Sequence, residues 1–186
     1  VKAEGDQALR RYAREFDRVE VEALEVSAQE LDAAVDSLDP EFRRVLEEAA
    51  ENIRDFHSRQ VRQSFLVTGK EGVVLGQKVI PIQRVGLYIP GGTAAYPSSV
   101  IMNAVPAKVA GVPRIAMAAP AGRDGKMNPY VLATAKEIGI TEIYKMGGAQ
   151  AIAALAFGTE TIPKVEKITG PGNIFVTLAK KAVYGH

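Results

Sequence analysis

The 186 residues suffice for one large domain or one and a half, and their balance of 47% hydrophobic and 24% charged residues is typical of a globular protein. This composition excludes a disordered tail, a collagen-like chain and a polybasic nucleic-acid arm. Because the chain has no cysteine, disulfides, thiolate zinc sites and a cysteine nucleophile are excluded, and its two histidines, His57 and His186, cannot form a histidine-rich metal site alone.

No stretch of the sequence approaches the roughly 20 apolar residues that span a bilayer, and the first six residues lack the apolar core of a signal peptide. We therefore expect a soluble, cytoplasmic protein with neither nucleic acid nor membrane among its partners. Val1 stands in the place of an initiator methionine, and only Gly185 and His186 follow the last helical pattern. We accordingly expect the sequence to be part of a larger protein.

Charge divides the chain near residue 81. Residues 1–80 carry 12 Lys+Arg and 17 Asp+Glu, net −5, whereas residues 81–186 carry 11 and 5, net +6. We predict two units with this boundary, and the basic, glycine-rich second unit is the one that would tolerate a phosphate-bearing ligand. A simple clustering of charged helix faces early in the chain accounts for the charges equally well.

Three packing helices and a hairpin are predicted in residues 1–80. The first helix has an apolar stripe, the second begins with a capping box and covers about residues 28–38, and the third begins with an aspartate cap and runs to about residue 59. The residues that carry these signals are Leu9, Tyr12, Ala13 and Phe16, then Ser27 and Glu30, then Asp39 and Pro40. Residues 64–68 and 73–81 predict a hairpin around the turn at 69–72. His57, alone on the third helix, is interpreted as a surface or packing residue without a functional role.

Residues 81–186 repeat one pattern four times: a short apolar strand, a glycine-bearing loop and a helix. The strands are predicted at 84–89, 114–119, 142–146 and 165–169. Strands joined by single helices pair in parallel with right-handed crossovers, so all the loops lie at one rim of the sheet. Ligands of such sheets bind at that rim, where helix N-termini present unpaired N–H groups. The pattern therefore favours a nucleotide or another phosphorylated ligand.

Several familiar nucleotide and hydrolase motifs are missing. The sequence has no G-x-G-x-x-G after the first strand, no acidic residue at the end of the second strand and no P-loop. It also has no Ser-His-Asp set and no paired-carboxylate site. Arg123 and Lys126 in the second loop could attract a cofactor phosphate, but solvated loop charges are the favoured interpretation. The residues alone thus indicate only a nucleotide-binding-like α/β module.

Three longer motifs are more specific: VGLYIPGG at 85–92, GGAQAIAALAFGTE at 147–160 and KITGPGN at 167–173. In order and spacing they resemble the histidinol dehydrogenase family, and GDQAL at 5–9 and IRDFH at 53–57 extend the resemblance over nearly the whole chain. We expect an α/β protein with an incomplete Rossmann-like parallel sheet and flanking helices, preceded by an N-terminal helical and hairpin portion. Residues 81–186 would form the NAD-binding domain, and residues 1–80 would be part of a discontinuous catalytic domain.

The resemblance implies an enzyme of histidine biosynthesis that oxidises L-histidinol to L-histidine through histidinal, in two NAD-dependent steps, with a bound zinc and as a homodimer. Family members place NAD contacts on residues that match Tyr88, Gln150 and Asn173. Without the resemblance, Tyr88 would be interpreted as a core aromatic and the other two as helix caps.

The zinc ligands and the Glu-His acid–base pair of the family lie on a later part of its chain. No residue of this sequence is therefore assigned to catalysis or to the metal, and we expect these 186 residues alone not to turn over histidinol. Two alternatives remain open from the sequence: another NAD-linked enzyme that oxidises an aldehyde, and a non-catalytic nucleotide-binding module. Residues beyond His186 would separate them, since only an enzyme needs a downstream cluster of His, Asp and Glu.

Overall fold

The structure is a computed structural model that describes residues 1–91 and 95–186, so that Gly92 of the first glycine pair lies outside the described residues. The helices are α1 (Gly5–Tyr12), α2 (Ala28–Asp36), α3 (Pro40–Ser58), α4 (Pro97–Val109), α5 (Pro129–Glu137), α6 (Gly148–Phe157) and α7 (Ile174–Ala182). The strands are β1 (Phe65–Thr68), β2 (Val74–Gln77), β3 (Arg84–Tyr88), β4 (Arg114–Ala119), β5 (Glu142–Lys145) and β6 (Lys167–Thr169). Within the described residues, no helix combines the length and the apolar character that crossing a membrane requires.

Strands β3 to β6 form one parallel sheet in the order β5-β4-β3-β6. The chain steps outward from β3 to β5 and then returns to pair β6 with the other side of β3. The direction of winding therefore reverses between β3 and β6, which is the place where open sheets of this kind bind their ligands. The predicted Rossmann-like parallel sheet is confirmed, and its glycine loops share one rim.

Each face of this sheet is covered, as parallel sheets require. Because strand side chains alternate, Val85 and Leu87 point to the face covered by α2, α4 and α5. Tyr88 points to the opposite face, where α1, α6 and α7 pack. The outer edge of β5 is also covered, since the backbone N–H groups of Val26 and Lys145 donate across it to Ile143 and Leu24.

The first predicted helix differs from the structure in its last turn. The α-helix ends at Tyr12, and residues Ala13–Asp17 form a π-helical turn that ends where Arg18 takes a left-handed conformation with φ 54°. A π-helical turn is wider than an α-helical one, so an apolar stripe of 3.6-residue period does not continue through it. Ala13 is buried, but Phe16 is 63% exposed. The prediction of one regular helix with Phe16 on its apolar face was therefore wrong at that point.

The predicted caps of α2 and α3 are confirmed. Ser27 Oγ accepts the Glu30 N–H at 3.2 Å, and the Glu30 carboxylate accepts the Ser27 N–H at 3.0 Å. Asp39 Oδ1 accepts two N–H groups of the first turn of α3. His57 Nδ1 lies 2.8 Å from the side-chain oxygen of Gln60, its neighbour on the surface of the same helix end. The Ser27 and Asp39 caps set the starts of α2 and α3 because each accepts backbone N–H groups that a helix leaves unpaired at its N-terminus.

The predicted hairpin is confirmed as β1 paired antiparallel with β2. Both of its faces are exposed: Leu66 is 81% exposed and Leu75 is 67% exposed. By contrast, the apolar stripe of α3 is partly covered, because Leu46 packs on Ile101 and Val105 of α4. The N-terminal helices thus pack against the sheet unit, whereas the hairpin residues are all exposed.

Two carboxylates, Asp6 and Glu30, tie the N-terminal segment to the sheet unit. Burial raises the pKa of each carboxyl group, but hydrogen bonds to the charged form outweigh this effect, so both pKa values are lowered. Asp6 accepts these hydrogen bonds from Thr159 and Thr161. Glu30 accepts them from Lys145 and Ser27. A carboxyl group whose pKa is lower in the folded state stabilises the fold at neutral pH, and this stabilisation is lost as the pH falls through the lowered pKa.

We expect the melting temperature of the complete protein to decrease when the pH is lowered beyond about 4. Asp6→Asn should lower it at pH 7 and leave it less sensitive to acid, which calorimetry across the pH range will measure. Glu22→Gln, an exposed carboxylate, should leave the profile unchanged. An Asp6→Asn protein that loses stability in acid as steeply as the unaltered one would contradict the assignment.

Candidate functional site

Tyr88 stands at the centre of the rim. It ends β3, is 4% exposed, and its hydroxyl accepts the backbone N–H of Gly148 at 3.1 Å. Gly148 is the first residue of α6, so the phenol oxygen satisfies one of the N–H groups that a helix leaves open at its N-terminus. Burial raises the pKa of Tyr88 even though the Gly148 hydrogen bond acts in the other direction. The phenol therefore remains protonated at neutral pH and keeps its own O–H to donate.

The loop between β6 and α7 lies against the backbone of the same tyrosine. Gly170 has φ +113°, and a methyl group added to it would come within 1.9 Å of the Tyr88 carbonyl oxygen. Lys180 reaches back from the last turn of α7 and donates to the carbonyl oxygen of Gly170. Tyr88 consequently contacts two of the glycine loops, one through its hydroxyl and one through its backbone.

Gln150 is the third residue of α6, and Asn173 is the N-cap residue that directly precedes α7. The Gln150 amide folds over Gly148, since a methyl group there would lie 2.7 Å from Gln150 Oε1. Asn173 caps α7, and its Oδ1 accepts the Val176 N–H at 3.1 Å. Its Nδ2 has no hydrogen-bond partner in residues 1–91 and 95–186. Asn173 follows Gly170 by three positions, which is at most about 11 Å of chain.

The structure thus brings Tyr88 and Gln150 together on Gly148 and connects the Asn173 loop to Tyr88 through Gly170. The cap predicted for Asn173 from its residue type is present, and Tyr88 is as buried as a core aromatic. Neither observation conflicts with a cofactor contact, because each side chain keeps a polar atom for a ligand. Their role in binding NAD stays a prediction.

A cavity of about 630 Å³ lies beside these residues, between the loops that follow β3 and β4. The residues that line it include Asp17, Gly91, Pro120, Arg123, Lys126 and Asn128. None of Tyr88, Gln150 and Asn173 lines it. It opens at the carboxyl ends of the central strands, which is where the adenosine half of a dinucleotide binds in related sheets.

Pro120 joins three loops behind this cavity. A methyl group on Gly91 would lie 2.3 Å from Pro120 Cγ, and one on Gly147 would lie 2.8 Å from Pro120 Cβ. The loops after β3, β4 and β5 are therefore in contact through one proline ring. Sequence reasoning did not find this residue, because the signal is a long-range contact of two glycines that are far apart in the chain.

Asp17 was also missed. It comes from the π-helical turn, is half-buried, and reaches the cavity from outside the strand–loop–helix repeats. After burial and the Gly148 hydrogen bond, its charge is a further influence on Tyr88 and raises the pKa of that phenol. No local pattern could identify Asp17, since its place at the rim depends on how α1 packs against α6.

The residues that the structure describes do not fit a zinc site. Among them, no three His, Asp or Glu side chains lie together as ligands. Of the two carboxylates on the cavity, Asp124 accepts the N–H of Lys126 within its own turn. Zinc prefers a close set of nitrogen or carboxylate donors, which the described residues of this rim do not provide.

The match to a known family includes the motifs on these loops and extends over the whole chain. The family model described as histidinol dehydrogenase matches residues 1–186. The chain belongs to the histidinol dehydrogenase family. The resemblance read from the motifs is therefore confirmed, and the family's members are oxidoreductases.

Individual members of the histidinol dehydrogenase family are similar to this chain in sequence and in structure. The chain is 55% identical over 186 residues to the histidinol dehydrogenase of Geobacillus kaustophilus and 56% identical over 185 residues to that of Bacillus subtilis. It spans 44% and 43% of those proteins. The crystal structure of histidinol dehydrogenase from Elizabethkingia anophelis superposes with a TM-score of 0.92 at 42% identity, over 96% of this chain and 41% of that one. The chain thus spans less than half the length of these relatives.

Proposed function

We propose that the complete protein is an NAD-dependent histidinol dehydrogenase, which oxidises L-histidinol to L-histidine through histidinal in the cytoplasm and acts as a homodimer. Family membership over residues 1–186 supports the reaction class and the substrate. The observation that carries the cofactor assignment is the meeting of two glycine loops on Tyr88, at the switch point of the sheet.

The rim suits a dinucleotide for a steric reason. Gly148 and Gly170 both have positive φ, and side chains there would strike Gln150 and Tyr88. Only glycine lets the backbone of both loops come this close to the groups that would hold the ligand. The net charge of +6 on residues 81–186 further favours a diphosphate. When bound, NAD would supply the hydride acceptor for both oxidation steps.

Each of the three predicted contacts has a polar atom to offer. The Tyr88 hydroxyl accepts from Gly148 and can donate its own proton to a cofactor oxygen. The Gln150 amide can both donate and accept at the start of α6, and Asn173 Nδ2 can donate while Oδ1 caps α7. These groups bind and orient the cofactor, and none of them removes a proton from the substrate.

Proton removal and zinc binding require other residues. The described residues have no zinc ligand set, so we propose that the metal ligands and the acid–base residues lie outside these 186 residues. Residues 1–80 would then contribute to a discontinuous catalytic domain, and residues 81–186 would form the NAD-binding domain. These 186 residues alone would bind the cofactor at most.

In the complete protein, L-histidinol should drive the formation of two NADH per molecule oxidised, followed by NADH absorbance. Asn173→Asp keeps the oxygen that caps α7 but removes the Nδ2 donor and adds a negative charge to the proposed binding site of an anionic cofactor. We therefore expect it to raise the KM for NAD by about tenfold and to leave the KM for histidinol unchanged.

The control for this experiment is Asn52→Asp, the same substitution at an exposed position of α3, which should change neither constant. Activity on simple aldehydes but not on histidinol would favour the other NAD-linked enzyme and contradict the proposed substrate. An unchanged KM for NAD in Asn173→Asp would remove Asn173 from the site.

A further inference from the structure

The cavity beside Tyr88 is lined by one carboxylate, Asp17, that has no partner among the described residues. Asp17 is half-buried on the cavity wall and has no hydrogen-bond or ion-pair partner in residues 1–91 and 95–186. Its neighbours in the same turn behave differently: Arg14 pairs with Glu20, and Glu15 is exposed. Burial raises the pKa of Asp17, as expected for a carboxylate that has lost water without gaining a partner.

Asp17 lines the cavity at the end of β4, the second strand of the repeat. In sheets that bind a dinucleotide, an acidic residue near the end of the second strand accepts the hydroxyls of the adenosine ribose, and a carboxylate there also repels a 2′-phosphate. Here the second strand of the repeat, β4, ends in Ala119 and continues into Pro120, so it offers no carboxylate. Asp17 reaches the same cavity from the N-terminal segment and lines it together with both of these residues.

The other charged groups on the cavity are more hydrated. Arg123 and Lys126 are exposed, and Asp124 is exposed and accepts a hydrogen bond within its own turn. Water screens exposed charges strongly, whereas a half-buried charge acts on a ligand with less screening. Asp17 is therefore the charge that a sugar entering this cavity meets with the least screening.

We propose that Asp17 accepts hydrogen bonds from the adenosine ribose of the dinucleotide and so selects NAD over the form that carries a 2′-phosphate. This inference rests on the proposed function, because it names the part of the same site that reads the sugar. It assigns to the N-terminal segment a binding role that the charge division of the sequence did not indicate.

The test compares the complete protein with its Asp17→Asn variant by calorimetric titration with NAD, with NADP and with NAD that lacks the 2′-hydroxyl on its adenosine ribose. Asparagine keeps the shape but loses the charge and half of the acceptor capacity. We expect Asp17→Asn to weaken NAD binding by ten- to a hundredfold. NADP binding should stay the same or become tighter, and the preference for NAD over its deoxy analogue should disappear.

Glu15→Gln, an exposed carboxylate two residues away, is the matched control and should change none of these affinities. Since Asp17 has no partner among the described residues, Asp17→Asn should melt at the same temperature as the unaltered protein or higher, which separates lost binding from lost folding. Equal losses for NAD and NADP, or no loss, would overturn the role of Asp17. If the unaltered protein does not bind NAD, the proposed function fails as well, so the two failures are distinguishable.

Discussion

Gly170→Ala should destabilise the complete protein by about 3–5 kcal/mol and abolish detectable NAD binding. The new methyl group would lie 1.9 Å from the carbonyl oxygen of Tyr88, and φ +113° is a backbone conformation that L residues rarely adopt. The clash cannot be relieved by a side-chain rotation, because the atoms of Tyr88 that the methyl group would meet belong to the backbone. The free energy of unfolding from denaturant titration and the affinity for NAD from calorimetry are the two measurements.

Gly72→Ala is the matched control for this substitution. Gly72 has φ +77°, so alanine there meets comparable backbone strain, but nothing lies within 4 Å of the added methyl group. It should cost about 1–2 kcal/mol and leave NAD binding intact. If both variants lose the same stability, the close contact of Gly170 with Tyr88 contributes nothing, and the β6–α7 loop is not held against β3 as described.

Glu142→Gln should cost about 3 kcal/mol or more, because it leaves a buried guanidinium without its counter-charge. Arg84 is 9% exposed at the start of β3 and pairs with Glu142 at the start of β5, across β4. Tyr144 also donates to Glu142 at 3.0 Å, and burial together with the charge of Glu142 raises the pKa of that phenol. Arg84 Nε has no hydrogen-bond partner among the described residues, so this arginine depends heavily on Glu142.

Denaturant titration of the complete protein will measure this loss, with Glu51→Gln as the control. Glu51 pairs with Arg54 on the exposed surface of α3, where both side chains are more than half exposed. Such a pair contributes at most about 0.5 kcal/mol, since water screens it and holding two long side chains costs entropy. Similar losses for the two variants would show that Arg84 and Glu142 are no more desolvated than a surface pair.

Features whose causes are local could be predicted from the sequence. The capping box of Ser27 and Glu30, the cap of Asp39 and the hairpin around residues 69–72 all depend on neighbours within a few positions. The parallel sheet was also predictable, because single-helix connections between strands leave few other arrangements. For the site, sequence motifs selected Tyr88, Gln150 and Asn173, and their place at one rim follows from the same topology.

The remainder depends on contacts between distant parts of the chain. In the π-helical turn Phe16 stacks on Tyr12 but stays exposed, and Asp17 lines the cavity; neither outcome is encoded in a local apolar period. The Pro120 contact requires the actual positions of Gly91 and Gly147. The division of the chain at residue 81 stays a prediction, although the helices before it pack closely on those after it.

Pro120 and Tyr88 together give the rim a property that single residues lack. The proline ring fills the space between the loops after β3 and β5, and the tyrosine holds the start of α6 and the loop after β6. Because these loops contact one another through the two side chains, a shift of any one loop displaces its neighbours as well. Insertions in one loop would accordingly disturb the others, which makes the lengths of these four turns interdependent.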